Sequence, residues 1–145
     1  YGGYAALAGA AFTPGVYACA VDMFGPSSLL TLVENSPVYW KPELAQLYQS
    51  IGNPETDEEF MRSRSPLYYA DSIKIPVLIA QGGNDVRVTP QESEQMVAAM
   101  KDRGLDVEYM YFPDAGHGFN STEDYLKFFS RLEQFLAEHI GGMTE

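Results

Sequence analysis

Cysteine, histidine and basic residues are all scarce in this sequence. The single cysteine, Cys19, excludes an internal disulfide bond and a zinc centre built from several thiolates. Nine Lys and Arg residues stand against 20 Asp and Glu residues, which gives a formal net charge of -11. Because nucleic acids and anionic membranes are bound through basic side chains, we expect neither as a partner. The His, Asp and Glu residues also lack the spacing of metal ligands, so we expect no metal and no other cofactor.

Long hydrophobic runs are absent too. No stretch approaches the ~20 consecutive apolar residues of a membrane-spanning helix, and no signal-peptide pattern is present. We therefore expect a cytoplasmic protein, with the alternative that a signal peptide lies ahead of these residues.

Apolar residues, by contrast, are plentiful. They make up 46% of the 145 residues, and aromatic residues make up 13%, which is enough for the core of one domain or of part of one. The chain opens YGGYAALAGAA, a segment dominated by Gly and Ala with no capping residue and no polar leader. A helix with so little side-chain bulk packs closely against a sheet. We therefore expect a helix here, and a further part of the protein before it.

Apolar runs and helical patterns then alternate along the chain. Strands are predicted over 16–24, 75–83 and 107–113. The first is a continuous apolar run that ends at Gly25-Pro26, and the first two suit strands that are buried in the sheet. A long stretch over 27–66 contains several prolines and short helical patterns but no strand-like run, so we interpret it as an excursion outside the sheet. This alternation predicts an α/β fold with parallel strands and flanking helices.

Two loops that follow predicted strands carry titratable side chains. QGGNDVRV places Asp85 and Arg87 after the second strand, and FPDAGHGF places His117 after the third. The carboxyl ends of parallel strands meet at one edge of a sheet, so we predict a hydrogen bond between Asp85 and His117, as in a hydrolase that orients its imidazole with a carboxylate. The alternative is that each side chain only stabilises its own turn. Asp22, after the first strand, could line the same cleft, but no base pairs with it.

The order of these residues favours the first interpretation. In α/β-hydrolases the triad runs Ser, Asp or Glu, then His, and the Ser lies in a G-x-S-x-G turn between a strand and a helix. This chain has Asp85 before His117 and begins with Tyr1-Gly2 at the start of a predicted helix. If Tyr1 follows the nucleophile, the expected serine lies directly before Tyr1 and outside this chain.

Six segments taken together resemble one known family, and they extend over essentially the whole chain, residues 1–145. The resemblance is to the C-terminal part of the catalytic domain in the prolyl oligopeptidase family of serine peptidases, within the acylaminoacyl peptidase and dipeptidyl-aminopeptidase-like branch. It implies the C-terminal portion of an α/β-hydrolase fold, preceded by a β-propeller, the earlier strands of the sheet and the nucleophile. The segments are YGGYAAL, VDMFGPSSLL, VYWKPELAQLY, SPLYYAD, IPVLIAQGGNDVRV and FPDAGHGF.

The same resemblance implies roles for individual residues. Asp85 would orient His117, and His117 would act as general base and then general acid. The main-chain N–H of Tyr1 would stabilise the oxyanion. Arg87 would bind a carbonyl or carboxylate of the substrate, with a salt bridge as the alternative. Three further residues would line the pocket for the substrate side chain, although ordinary packing is the alternative for the last two: Val88, Trp40 and Tyr39.

Three functions remain open from the sequence. The first is a serine peptidase that cleaves short peptides; the second is an esterase or dienelactone-hydrolase-like enzyme with the same fold; the third is a non-catalytic fragment or interaction module. Without a nucleophile, we expect these residues alone to be inactive. We also expect them to be stable mainly in contact with the missing N-terminal part, or else to form homo-oligomers through an unpaired strand edge.

Overall fold

The structure, a computed structural model, describes residues 1–142. Strands and helices alternate along these residues, as the sequence predicts, and two 3-10 helices (Val38–Glu43 and Pro66–Ser72) lie between them. The other elements are α1 (Gly2–Phe12), β1 (Ala20–Met23), α2 (Leu29–Glu34), α3 (Leu44–Ile51), α4 (Glu58–Ser63), β2 (Val77–Gly82), α5 (Pro90–Lys101), β3 (Val107–Phe112) and α6 (Thr122–Ile140).

The three strands form one parallel sheet in the order β1-β2-β3. Every residue of the central strand, β2, is buried, because helices cover both faces of the sheet. Helices α1 and α5 pack on the face that carries Val77 and Ile79. Helix α6 packs on the opposite face, where Leu78 and Ala80 contact its buried phenylalanines. The predicted α/β architecture is confirmed.

Helix α1 lies unusually close to the end of β1. A Cβ atom added at Gly3 would lie 2.6 Å from the Cα atom of Gly25, so only glycine allows the two backbones to cross here. Leu7, Ala10 and Ala11 are buried on the same side of the helix. The small residues of the opening segment therefore serve close packing against the sheet, as predicted.

Strand β1 is shorter than the strand predicted over 16–24. Val16 is 69% exposed, and pairing starts only at Ala20, which lies opposite Val77. The Ala20 N–H donates to the carbonyl of Pro76 at 3.0 Å, but Pro76 has no N–H to continue the ladder toward the N-terminus. The length of β1 is thus set by its partner strand and not by its own apolar run.

The segment predicted to lie outside the sheet forms α2, α3, α4 and a 3-10 helix, with its own small core of Leu29, Leu30, Val33 and Met61. A buried carboxylate on α5 links the start of this segment to the helices that cover the sheet. Oε2 of Glu92, on α5, accepts hydrogen bonds from the main-chain N–H groups of Ser27 and Ser28, each at 2.9 Å. Burial raises the pKa of Glu92, and these hydrogen bonds act in the opposite direction.

Candidate active site

Asp85 lies in the loop that follows β2, and its side chain is fully buried. Its Oδ1 atom accepts hydrogen bonds from the main-chain N–H groups of Arg87 at 2.9 Å and Val88 at 3.0 Å. A carboxylate bonded in this way to its own loop cannot rotate freely. The other oxygen, Oδ2, is left to accept a hydrogen bond from another part of the molecule.

That second oxygen faces His117, in the loop after β3. The Nδ1 atom of His117 lies 2.7 Å from Oδ2 of Asp85, so the predicted hydrogen bond is confirmed. When Nδ1 carries the ring proton it donates to the carboxylate, and Nε2 is then the nitrogen with a free lone pair. The His117 side chain is 34% exposed, which leaves the ring accessible to a bound molecule.

The two loops meet because glycine occupies the end of β2. A Cβ atom at Gly82 would lie 2.6 Å from the carbonyl oxygen of Ala115 and would overlap the carbonyl oxygen of Gly116. Beyond this crossing, the main-chain N–H of Asn84 donates to the carbonyl of Ala115 at 2.9 Å. The close crossing holds the His117 loop against the Asp85 loop.

A cavity of about 490 Å³ lies beside His117. Its walls are mostly aromatic and aliphatic, and two arginines reach it. The structure thus brings Tyr1, Trp40, Arg87 and Val88 together with His117 around one space. The lining residues are Tyr1, Tyr4, Pro26, Leu29, Leu32, Trp40, Ser50, Ile51, Phe60, Arg64, Arg87, Val88 and His117.

Tyr39 is not among these lining residues. Its side chain is 57% exposed and meets Trp40 edge-on, with ring centroids 6.4 Å apart. Both residues lie in a 3-10 helix, where neighbouring side chains point about 120° apart because there are three residues per turn. Of the two, Trp40 lines the cavity.

Eight of the lining residues were not found from the sequence, among them Tyr4, Phe60 and Arg64. The Tyr4 hydroxyl donates to the carbonyl of Arg64 at 2.8 Å, and the Arg64 guanidinium lies over the ring of Phe60, 5.5 Å from its centroid. Tyr4 could have been found, since it follows Tyr1 by three residues and shares its face of α1. Phe60 and Arg64 carry no such signal, because their position depends on how the segment outside the sheet folds back.

Asp22 does not line the cavity. It is fully buried at the end of β1, where its Oδ1 atom accepts a hydrogen bond from the main-chain N–H of Gly25 at 2.8 Å. Burial raises the pKa of Asp22 to about 7, and the hydrogen bond from Gly25 opposes this rise. Its contacts therefore serve the turn after β1, and no base among the described residues pairs with it.

Two kinds of feature are absent from residues 1–142. No three His, Cys, Asp or Glu side chains in this range are grouped so that they could hold a metal ion. No helix in it combines the length and the apolar character that crossing a membrane requires.

A parallel sheet covered by helices on both faces, with an aspartate and a histidine joined across successive strand ends, defines the α/β-hydrolase class. Within that class, the model of the prolyl oligopeptidase family matches residues 1–143, and the chain belongs to this family. The resemblance inferred from the sequence is confirmed.

Individual relatives agree with this assignment. Dipeptidyl aminopeptidase BIII of Pseudoxanthomonas mexicana is 48% identical over 147 residues, covering 100% of this chain and 21% of the relative. A puromycin-hydrolyzing peptidase of Mycobacterium tuberculosis superposes with a TM-score of 0.89 at 28% identity, covering 99% of this chain and 21% of that one. The acylaminoacyl peptidase of Pyrococcus horikoshii superposes with a TM-score of 0.86 at 25% identity, covering 100% of this chain and 24% of that one. The chain thus spans 21–24% of the length of these proteins.

Proposed function

We propose that this chain supplies the aspartate and the histidine of the catalytic triad in a serine peptidase that cleaves short peptides. The observation that carries the proposal is the 2.7 Å contact between Asp85 and His117 at the wall of an aromatic cavity. The names of the relatives, a dipeptidyl aminopeptidase and an acylaminoacyl peptidase, support a peptide substrate. Because the chain spans about a fifth of such proteins, we also propose that residues 1–145 are the C-terminal part of a larger catalytic domain.

In this proposal the reaction is acyl transfer to a serine, which we assign to the position directly before Tyr1. His117 Nε2 takes the proton from the serine hydroxyl as the oxygen attacks the scissile carbonyl, and it returns that proton to the leaving amine. Water then repeats the sequence and releases the acyl group. Asp85 holds the proton on Nδ1 of His117 and stabilises the imidazolium that forms in between.

Tyr1 is proposed to stabilise the oxyanion through its main-chain N–H. It stands at the N-terminus of α1, where the free N–H groups and the helix dipole favour negative charge. Val88 and Trp40 are proposed to contact the substrate side chain next to the scissile bond, which their place in the cavity wall supports.

Arg87 is proposed to bind a substrate carbonyl or carboxylate. Among the described residues no carboxylate forms a salt bridge with it, so the alternative of a structural ion pair finds no support. A planar fork of N–H donors suits either acceptor. Arg87 lines the cavity and follows Asp85 by two residues.

The proposed function is tested by labelling the full-length protein with a fluorophosphonate and mapping the modified peptide. We expect stoichiometric labelling of a serine directly before Tyr1, together with release of amino-terminal fragments from short peptides. Labelling of a serine within residues 1–145, or no labelling of a folded full-length protein, would contradict the proposal.

A second experiment addresses the substrate class. Arg87→Ala in the full-length enzyme is expected to lower kcat/KM for a short peptide by about 10- to 100-fold, because a hydrogen bond to a charged group contributes roughly 1.5–3 kcal/mol. Hydrolysis of a small activated ester should change little, since the ester offers no remote carbonyl or carboxylate to the guanidinium.

The matched control for this experiment is Arg103→Ala. Arg103 is exposed just after α5, where it donates to the carbonyl of Ala99, and it does not line the cavity. Neither substrate should be affected by its loss. Equal losses on peptide and ester with Arg87→Ala would mean that Arg87 is structural, and would favour an esterase.

A further inference from the structure

The turn after β1 contains an unusual backbone conformation. Phe24 has a φ of 54°, and it is the one non-glycine residue with positive φ in residues 1–142. Side chains with a Cβ atom disfavour this left-handed region, and bulky residues are seldom found there. Residues held in such conformations cluster at functional sites, because the surrounding structure has to maintain them.

Three contacts maintain the conformation of Phe24. The buried Asp22 carboxylate accepts a hydrogen bond from the N–H of Gly25 at 2.8 Å, which closes the turn around Phe24. The N–H of Phe24 itself donates to the carbonyl of Ala80 at 3.0 Å, which ties the turn to β2. Gly25 is in close contact with α1, since a Cβ atom there would lie 2.5 Å from the main-chain nitrogen of Tyr4. The turn is thus fixed to both a helix and a strand.

The conformation brings the Phe24 ring against His117. The two ring centroids lie 5.8 Å apart, and the planes are inclined by 51°. Phe24 is only 7% exposed and meets Phe119 edge-on at 5.3 Å. Phe119 in turn contacts Phe112 and Phe128, each with a centroid distance of 5.0 Å. A series of aromatic contacts therefore connects the imidazole to the core.

His117 needs such a contact because its own neighbours provide none. Gly116 and Gly118 flank it and have no side chains to steady the ring. The hydrogen bond to Asp85 fixes the position of one ring nitrogen, but the imidazole can still turn about the line that joins Nδ1 to the carboxylate. A second contact, on the ring itself, is required to fix the direction of Nε2.

We propose that Phe24, held in a left-handed conformation by the Asp22 carboxylate, is a positioning residue that fixes the plane of the His117 ring for proton transfer. The inference rests on the proposed role of His117 as general base. Phe24 does not line the cavity, so it acts on the rate of proton transfer and not on substrate binding.

The test compares Phe24→Ala with Phe24→Gly in the full-length enzyme. Both variants remove the ring, but glycine also relieves the backbone strain, so the pair separates the ring from the backbone. We expect both to lower kcat by about 10- to 100-fold per active site, since displacing a reacting group by ~1 Å can cost 10²-fold. KM should stay within about twofold of the wild type because substrate contacts are unchanged. The concentration of active sites is measured by fluorophosphonate titration, so that unfolded protein is not counted when kcat is calculated.

Two further variants test the turn. Asp22→Asn keeps an oxygen that can accept from Gly25 and should keep most of kcat, whereas Asp22→Ala should lose as much as Phe24→Ala. Phe135→Leu is the control for a general loss of core packing, because Phe135 is buried on the same helix, α6, and its ring pairs with His139 and not with any member of the series that reaches His117. It should lower the temperature of unfolding and leave kcat per titrated site unchanged.

The outcomes separate this inference from the proposed function. Wild-type kcat in Phe24→Ala, recovery of kcat in Phe24→Gly alone, or an increase in KM at unchanged kcat would each overturn the positioning role. Asp85→Asn is measured in parallel. If Asp85→Asn loses activity while both Phe24 variants retain it, only the positioning role is wrong; if Asp85→Asn is also fully active, the proposed function itself is wrong.

Discussion

Asp85→Asn in the full-length enzyme is expected to lower kcat for peptide hydrolysis by about 10⁴-fold, the size of effect seen when a triad aspartate is replaced by its amide. The reason lies in the two oxygens of the carboxylate. Oδ1 accepts from the N–H groups of Arg87 and Val88, so an asparagine would keep its oxygen there and turn its NH₂ group toward His117. The imidazole would then accept at Nδ1 and carry its proton on Nε2, where a general base needs a free lone pair.

The control for this prediction is Asp114→Asn. Asp114 is exposed and lies three residues before His117 in the same loop, so its substitution makes the same change in charge in the loop that carries His117. Its carboxylate makes no hydrogen bond to the ring, and kcat should stay within about twofold because only Asp85 determines the tautomer. A loss of less than tenfold in Asp85→Asn, or equal losses in both variants, would show that Asp85 is not the orienting acid.

Gly82→Ala is expected to destabilise the domain by about 1–3 kcal/mol, which is typical of forcing extra volume into a packed site, and to reduce kcat as well. The added methyl group would collide with main-chain atoms and not with a flexible side chain, since it would lie 2.6 Å from the carbonyl oxygen of Ala115. The strand cannot move away because Gly82 is paired with Phe112 in β3. The loop that carries His117 must therefore shift.

Gly116→Ala provides a stringent control, because Gly116 adjoins His117. A Cβ atom there would meet only the carbonyl oxygen of Asn84, at 3.9 Å, and the residue has no positive φ. We expect its effect on stability to be below about 0.5 kcal/mol, as for substitutions that create no clash. Both variants are compared by the apparent midpoint of thermal unfolding at one scan rate. A Gly82→Ala enzyme with the midpoint and kcat of the wild type would contradict this account of the two loops.

The sequence by itself was sufficient for the order of strands and helices and for the pair of residues at the centre of the site. Apolar runs bounded by Gly and Pro are local features, and helices that alternate with such strands place them in a parallel sheet. The carboxyl ends of parallel strands lie at one edge, so the meeting of Asp85 and His117 followed from their positions after two successive strands. The family could also be identified from the sequence, because its motifs are short stretches of consecutive residues that are spread over the whole chain.

The tertiary structure decided the features that depend on contacts between distant segments. The length of β1 was set by Pro76 and the start of β2, whereas its apolar run alone predicted a longer strand. Trp40 lines the cavity through the orientation of the 3-10 helix Val38–Glu43, which no local pattern gives. Phe24 shows the same limit most clearly. Its left-handed backbone is unfavourable for the residue taken alone. Asp22 holds it from within the turn, and contacts with β2 and α1, which come from other parts of the chain, fix the turn in place.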